Sequence, residues 1–272
     1  AITIAADAKR KNFDLVFSVA GDGLTREIVT GLLIEKSPIP FGIIPIGTIN
    51  LLKSDLRIAD DPLKAVQDLL HYGEYRKMDL GKINGKIFMC IAGIGADARG
   101  LEEVQEPGQP KKRRGKMQYV KPGIIHAATY EGIPGALFVD NEKVYEGKIL
   151  QTWFHNIQRV VFTEPRKGTC DDKKLESSLF FGQRGITAAI PGIPAILAGK
   201  LPLPFEIQFP GSHYNKGEQF ELYLKKPTAV HLDGDPLEWA QVFEVRVLPH
   251  AVTIFTPSRR GVKIFSEQPL NK

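Results

Sequence analysis

Cysteine is scarce in this 272-residue chain: Cys90 and Cys170 are the only two, and they lie far apart. Such a pair builds no disulfide framework and has no metal-ligand spacing, which suits a reducing compartment. No uninterrupted apolar run of about eighteen residues occurs, so no bilayer-spanning helix is expected. The opening residues lack the pattern of a secretory leader, and a cytoplasmic setting is expected. Walker A, the HRD and DFG signatures of protein kinases, and a complete GxGxxG after the first strand are all missing. Gly93-Ile94-Gly95 reads as part of a hairpin, not a helix start. The six histidines show no metal spacing, and no Ser-His-Asp arrangement can be built from them.

The formal net charge is +5 with a pI near 9.0. Its one dense cluster is Lys111-Lys112-Arg113-Arg114, extended by Lys116. The plain reading is a solvated loop; the functional one is attraction to phosphates or anionic lipid headgroups. No aromatic residue interleaves with the cluster, which argues against nucleic acid as a partner.

Phe13–Ala20 is predicted as a buried strand and Thr25–Lys36 as a helix with Ile28, Val29, Leu32 and Leu33 on one face. A second strand, Phe41–Ile46, leads to another short helix. Asp60-Asp61-Pro62 is a helix start, with Leu63, Val66, Leu69 and Leu70 as the expected core face. Strand, turn and helix in repetition predict a parallel α/β sheet, whose ligand loops lie at the carboxyl ends of strands. After residue 75 the pattern changes. Asn84-Gly85 and Asp140-Asn141 predict hairpins, and the alternation in QFELYL and VFEVRVL predicts antiparallel strands covered on one face, ending at Pro257. An α/β domain over 1–74, a mainly β domain over 75–257 and a tail over 258–272 returning to the first domain are the expected organisation. The apolar stretch 186–205 carries four prolines, so it cannot be one helix; it is either an irregular packed segment or an apolar lip facing a membrane or lipid.

Three turns carry the chemistry. In Gly21-Asp22-Gly23 the glycines allow close backbone approach to a phosphate, the following helix offers its amino end, and Asp22 is suited to Mg²⁺. Alone, the same residues are a common turn. Gly47-Thr48-Ile49-Asn50 repeats the arrangement: Gly47 for approach, Thr48 as a hydroxyl donor, Asn50 as a cap or a ribose or phosphate ligand. In His231-Leu232-Asp233-Gly234-Asp235, Asp233 is a carboxylate of the kind that accepts a hydroxyl proton in phosphoryl transfer.

In this order these motifs resemble the catalytic region of the diacylglycerol kinase and sphingosine kinase superfamily. AGDGLTREIVTGL resembles its GGDGT loop and helix, Pro45–Asn50 its PxGTxN motif, Met89–Ala98 its N-x-x-x-G-x-DA segment, and HLDGDPL its DGE turn. The resemblance implies an α/β nucleotide domain, a β-sandwich and an active site in the cleft between them. It implies ATP and Mg²⁺ at Gly21, Asp22, Gly23, Gly47, Thr48 and Asn50, and Asp233 as the base. It also implies Glu27 as a support of the loop and Asp97 against the acceptor's polar headgroup. Leu24 stands where the family has threonine, with Thr25 adjacent to supply a hydroxyl to the nucleotide. Asp171–Glu176 resembles a DGxLD segment that holds a structural metal at Asp172, although Lys173 and Glu176 replace a glycine and an aspartate. No counterpart of the family's opening strand precedes ITIAADA, so the true beginning is expected upstream of Ala1. The implied reaction is ATP-dependent phosphorylation of a diacylglycerol-like or sphingoid lipid at a membrane surface, by a protein in peripheral contact with it. Two alternatives stay open: an NAD kinase-like enzyme, and a lipid- or nucleotide-binding module impaired in catalysis.

Overall fold

Strand, glycine turn and helix alternate through the first seventy residues. In the computed structural model, which describes residues 1–47, 50–105, 130–158, 169–182, 212–258, 264–266 and 268–270, they are α1 (Ile2–Ala6), β1 (Val16–Ala20), α2 (Asp22–Ile34), β2 (Phe41–Pro45), α3 (Leu51–Leu56) and α4 (Pro62–Tyr72). The basic cluster at 111–116 and the apolar stretch 186–205 lie outside the described residues. β1 and β2 pair in parallel, with Ala20 opposite Pro45. α2 buries Val29 and Leu32 against them, with Ile28 and Leu33 packed at the margin. Asp61 caps α4 by accepting the Lys64 amide at 2.8 Å, and Pro62 follows it, as the sequence predicts. The expected apolar face of α4 is only partly right. Ala65 and Leu69 are buried, whereas Leu63 and Leu70 are 75% and 78% exposed. At 100° per residue these two fall on the side opposite the stripe through Ala65, Asp68 and Leu69.

The rest is strand-rich: β3 (Gly73–Ile83), β4 (Lys86–Phe88), β5 (Ile91–Gly95), α5 (Ala96–Gln105), β6 (Ile133–Val139), β7 (Glu142–His155), β8 (Leu175–Phe181), β9 (Ser212–Gly217), β10 (Gln219–Leu232) and β11 (Asp235–Pro257). Among the described residues all eleven strands join one sheet, mostly antiparallel; β11 crosses it, pairing with β10, then β3, then in parallel with β2. β10 alternates more and less buried residues over Gln219–Leu224 and β11 over Phe243–Val247, the two segments whose sequences alternate, while Thr228–Leu232 is buried throughout. One core gathers Val29, Phe41 and Leu52 with Met78, Ile254 and Ile264; the other is built from Phe154, Phe220, Phe243 and their neighbours. The first core thus draws on residues well beyond 74, and on Ile264 of the tail.

Three hairpins close on two residues of positive φ, the geometry that matches strand twist. They are Asn84-Gly85 (44° and 85°), Asp140-Asn141 (49° and 71°) and Asp233-Gly234 (52° and 93°). Gly93-Ile94-Gly95 departs from expectation: it forms the end of β5, and Gly95, at φ 111°, turns the chain directly into α5. No described helix is long and apolar enough to cross a membrane.

Candidate active site

Because β1 and β2 are parallel and in register, the loops that leave them start at the same level. The Ile46 amide donates to the Ala20 carbonyl at 3.2 Å, and the two glycine turns touch. A Cβ on Gly47 would lie 2.5 Å from Cα of Gly21, and one on Gly21 would lie 3.3 Å from Cα of Gly47. A side chain at Gly47 would collide, and one at Gly21 would fit only if its neighbour gave way by a few tenths of an ångström. Asn50, at φ 51°, holds the second loop by donating its amide to the Gly47 carbonyl at 2.7 Å. Asp22 reaches across and accepts the Leu51 amide at 2.7 Å, so it caps α3 rather than its own helix. α2 begins at Gly21 with no side-chain cap, leaving its first amides to whatever occupies the loop.

The Asp233-Gly234 turn of the β10–β11 hairpin joins this pair. Asp235, next along β11, stands against the first loop: a Cβ on Gly23 would come within 2.5 Å of its Oδ2. Arg26 of α2 donates to Asp235 at 2.8 Å, and its Nε lies 3.9 Å from Oδ2 of Asp233. That Nε is buried without a hydrogen-bond partner. Three carboxylates therefore share one neighbourhood. Burial raises the pKa of Asp22 to about 6; the Leu51 amide opposes the shift, and the charges of Asp233 and Asp235 add to it.

Asp233 and Asp235 are held differently. The carboxylate of Asp233 is fully buried and accepts the amides of Met89, Cys90 and Ile91 at 2.8–2.9 Å, clamping the turn to the start of β5. Burial raises its pKa against those amides and Arg26. Asp235 keeps 47% of its side chain exposed.

The other expected residues fall as follows. Thr25 is buried, with its hydroxyl donating to the Gly21 carbonyl at 2.9 Å and lying 2.7 Å from that of Ser18. It faces the sheet and offers nothing to a nucleotide, because the fourth residue of α2 turns inward while Leu24 points out. Glu27 is half exposed, 3.6 Å from the Ala1 amino group, and among the described residues it forms no hydrogen bond to the glycine loops. Thr48 lies outside the described residues. Asp97 opens α5, with its side chain one-quarter exposed. Asp172 is paired with the Lys216 ammonium at 2.5 Å and accepts the Lys174 amide at 3.1 Å. Lys173 takes the glycine-like φ of 64° and gives its amide to Asp79. A lysine thus supplies the positive charge that a metal would bring, and the residues there do not fit one.

Arg26 and Asp235 are the site residues the sequence reading passed over. The signal for Asp235 was its place two residues past Asp233, opposite Leu232 across the turn. Arg26 lies one helical turn after Asp22, on the same face. The uncapped amides of α2 and the close approach of Gly21 and Gly47 fit a nucleotide's phosphates. Mg²⁺ takes one or two carboxylates with phosphate oxygens, a role Asp22 fits; among the described residues no three ligand side chains converge to hold an ion unaided.

Residues 1–83 match the family model of the diacylglycerol kinase catalytic domain. A diacylglycerol kinase of Bacillus subtilis is 31% identical over 147 residues, 54% of this chain and 46% of that protein. One of Staphylococcus aureus is 29% identical over the same length, 44% of that protein. The match thus spans about half the length of these curated relatives. A solved diacylglycerol kinase from Bacillus anthracis superposes with a TM-score of 0.64 at 17% identity, covering 94% of this chain and 80% of that one. A candidate diacylglycerol kinase from the same strain reaches 0.71 at 19% identity with the same coverage, so the fold is shared. The first 83 residues thus share the sequence pattern of the diacylglycerol kinase catalytic domain, and the chain shares the fold of the solved structures.

Proposed function

We propose that the chain is an ATP-dependent lipid kinase that transfers the γ-phosphate to a hydroxyl of a diacylglycerol-like or sphingoid lipid. The observation that carries this reading is the contact of two glycine loops beside a turn bearing a half-exposed carboxylate. The loops and the start of α2 receive the phosphates, in a cleft between the α/β region and the strand-rich region. Asp22 is the residue that would hold Mg²⁺, which supplies charge neutralisation when bound. Asp97 receives the acceptor's polar headgroup. The lipid is reached by peripheral contact with a membrane surface.

The base role expected at Asp233 passes to Asp235. A general base must reach the proton it removes, and Asp233 is enclosed by three amides while Asp235 is open to solvent. Asp235 takes the acceptor hydroxyl's proton, the freed oxygen bonds to the γ-phosphorus, and the bond from that phosphorus to the bridging oxygen of ADP breaks. Asp233 fixes the turn.

The test is transfer of labelled phosphate from ATP into mixed micelles carrying either a diacylglycerol or a sphingoid base. Label should enter one of these lipids with the wild-type chain and not with Asp22→Asn. Label entering neither lipid, in chain that binds ATP, would establish the second reading, a binding module without turnover. That reading draws on one finding: Thr25 turns inward, so nothing described replaces the hydroxyl lost at Leu24. Leu24→Thr should then restore transfer.

A further inference from the structure

β5 runs between β10 and β7, and its Gly93 is in register with His231 on one side and Trp153 on the other. Lateral neighbours project from the same face of a sheet. The imidazole and the indole therefore flank a position that has no side chain. A Cβ on Gly93 would collide with Nε2 of His231 and come within 2.6 Å of Oδ2 of Asp97. That gap lets both rings reach one oxygen. Trp153 Nε1 donates to Oδ2 of Asp97 at 2.5 Å, and His231 Nε2 lies 3.1 Å from the same atom. Gln151 of β7 fixes the backbone beneath by accepting the Asp97 amide at 2.8 Å.

The second ring nitrogen of His231 accepts the amide of Gly234 at 3.3 Å. A backbone amide can only donate, so Nδ1 carries no proton and the ring hydrogen sits on Nε2, facing Asp97. His231 is 4% exposed and cannot swing away into solvent. One imidazole thus spans the distance from the head of α5 to the turn that carries Asp235.

We propose that His231 is a positioning residue that keeps Asp97 and the Asp233–Asp235 turn in fixed relation. The proposal rests on the kinase reading above, in which Asp97 receives the acceptor and Asp235 its proton. An acceptor bound at Asp97 is then presented to the base through a single ring. Displacement of reacting groups by about 1 Å can cost on the order of a hundredfold in rate, so such a link controls both binding and turnover.

Two variants separate the two ends of the link. Glutamine extends an N–H to the place of Nε2, and asparagine presents a carbonyl at the place of Nδ1. His231→Leu should raise the acceptor KM and lower kcat by about tenfold each, the scale of a hydrogen bond to a charged group, with the KM for ATP unchanged. His231→Gln should recover the acceptor KM alone, and His231→Asn should recover kcat alone. A leucine variant that loses thermal stability but keeps both constants overturns the proposal. Nitrogen-15 NMR of the imidazole, assigned by its loss in His231→Gln, gives a readout besides activity: a proton on Nε2 and none on Nδ1. The opposite tautomer overturns the link. A wild-type chain that phosphorylates no lipid would sink the kinase reading, and the NMR result then decides the link on its own.

Discussion

Asn84-Gly85 and Asp233-Gly234 close hairpins of one kind, two positive-φ residues between directly paired strands, yet they serve different ends. The side chain of Asn84 is exposed and adds a rung against β11, donating to the Val242 carbonyl at 2.8 Å and accepting the Glu244 amide at 2.9 Å. Asp233 is buried and turns the same reach inward onto three amides of the Met89–Ile91 segment. The local code for the turn is the same in both. What differs is the surroundings: the second hairpin ends where β1 and β2 deliver their glycine loops, so its next residue, Asp235, meets Gly23 and Arg26.

The two turns should differ most in turnover. Asp235→Asn should lower phosphate transfer by about 10²–10⁴-fold, the usual worth of a general base, while Asn84→Ala leaves kcat unchanged. Asp233→Asn is the control between them: if it loses transfer while Asp235→Asn keeps it, the base assignment reverts to Asp233. In stability the order changes. Asp233→Ala leaves three buried amides without an acceptor, at about 1–3 kcal/mol each, and should lower the melting temperature far more than Asn84→Ala.

The glycines of the two turns are alike in geometry and differ in what surrounds them. Gly85 and Gly234 both have positive φ and open space where a Cβ would go. Alanine at either should cost about 1 kcal/mol in denaturant unfolding, because only the backbone conformation is penalised. Gly234→Ala alone should also change kcat. The smallest effect is in pH. Asp22 has a folded pKa of about 6 against 3.8 for the free group, so the native state holds an extra proton between those values. Its contribution to stability is greatest below pH 4 and is lost as pH rises through 6. In metal-free buffer the melting temperature of Asp22→Asn should gain on wild type from pH 4 to 7 and run parallel to it above; a constant offset across that range would contradict the burial of Asp22.

Local features were legible in the sequence. The two-residue turns, the Asp61 cap and the parallel strand–glycine–helix units all follow from neighbours in the chain, and the structure has them. Features set by distant partners were not. Thr25 and Leu24 are adjacent, and only the packing of α2 on Ser18 of β1 decides which faces the loop. Leu63 and Leu70 look like core residues until the helix phase is fixed by Ala65 and Leu69. Asp172 looks like a metal ligand until β9 places Lys216 beside it. His231 and Trp153 meet at Asp97 only because Gly93, between them in the sheet, has no side chain. No spacing in one sequence carries that information.

Amide NMR of the glycines during titration with ATP and Mg²⁺ decides whether the two glycine loops and the Asp233–Gly234 turn form one phosphate site. The amides of Gly21, Gly23, Gly47 and Gly234 should shift together at one saturating concentration, with Gly85 unmoved. Shifts that leave Gly21 and Gly47 in place, or that move Gly85 as far as Gly234, would contradict it.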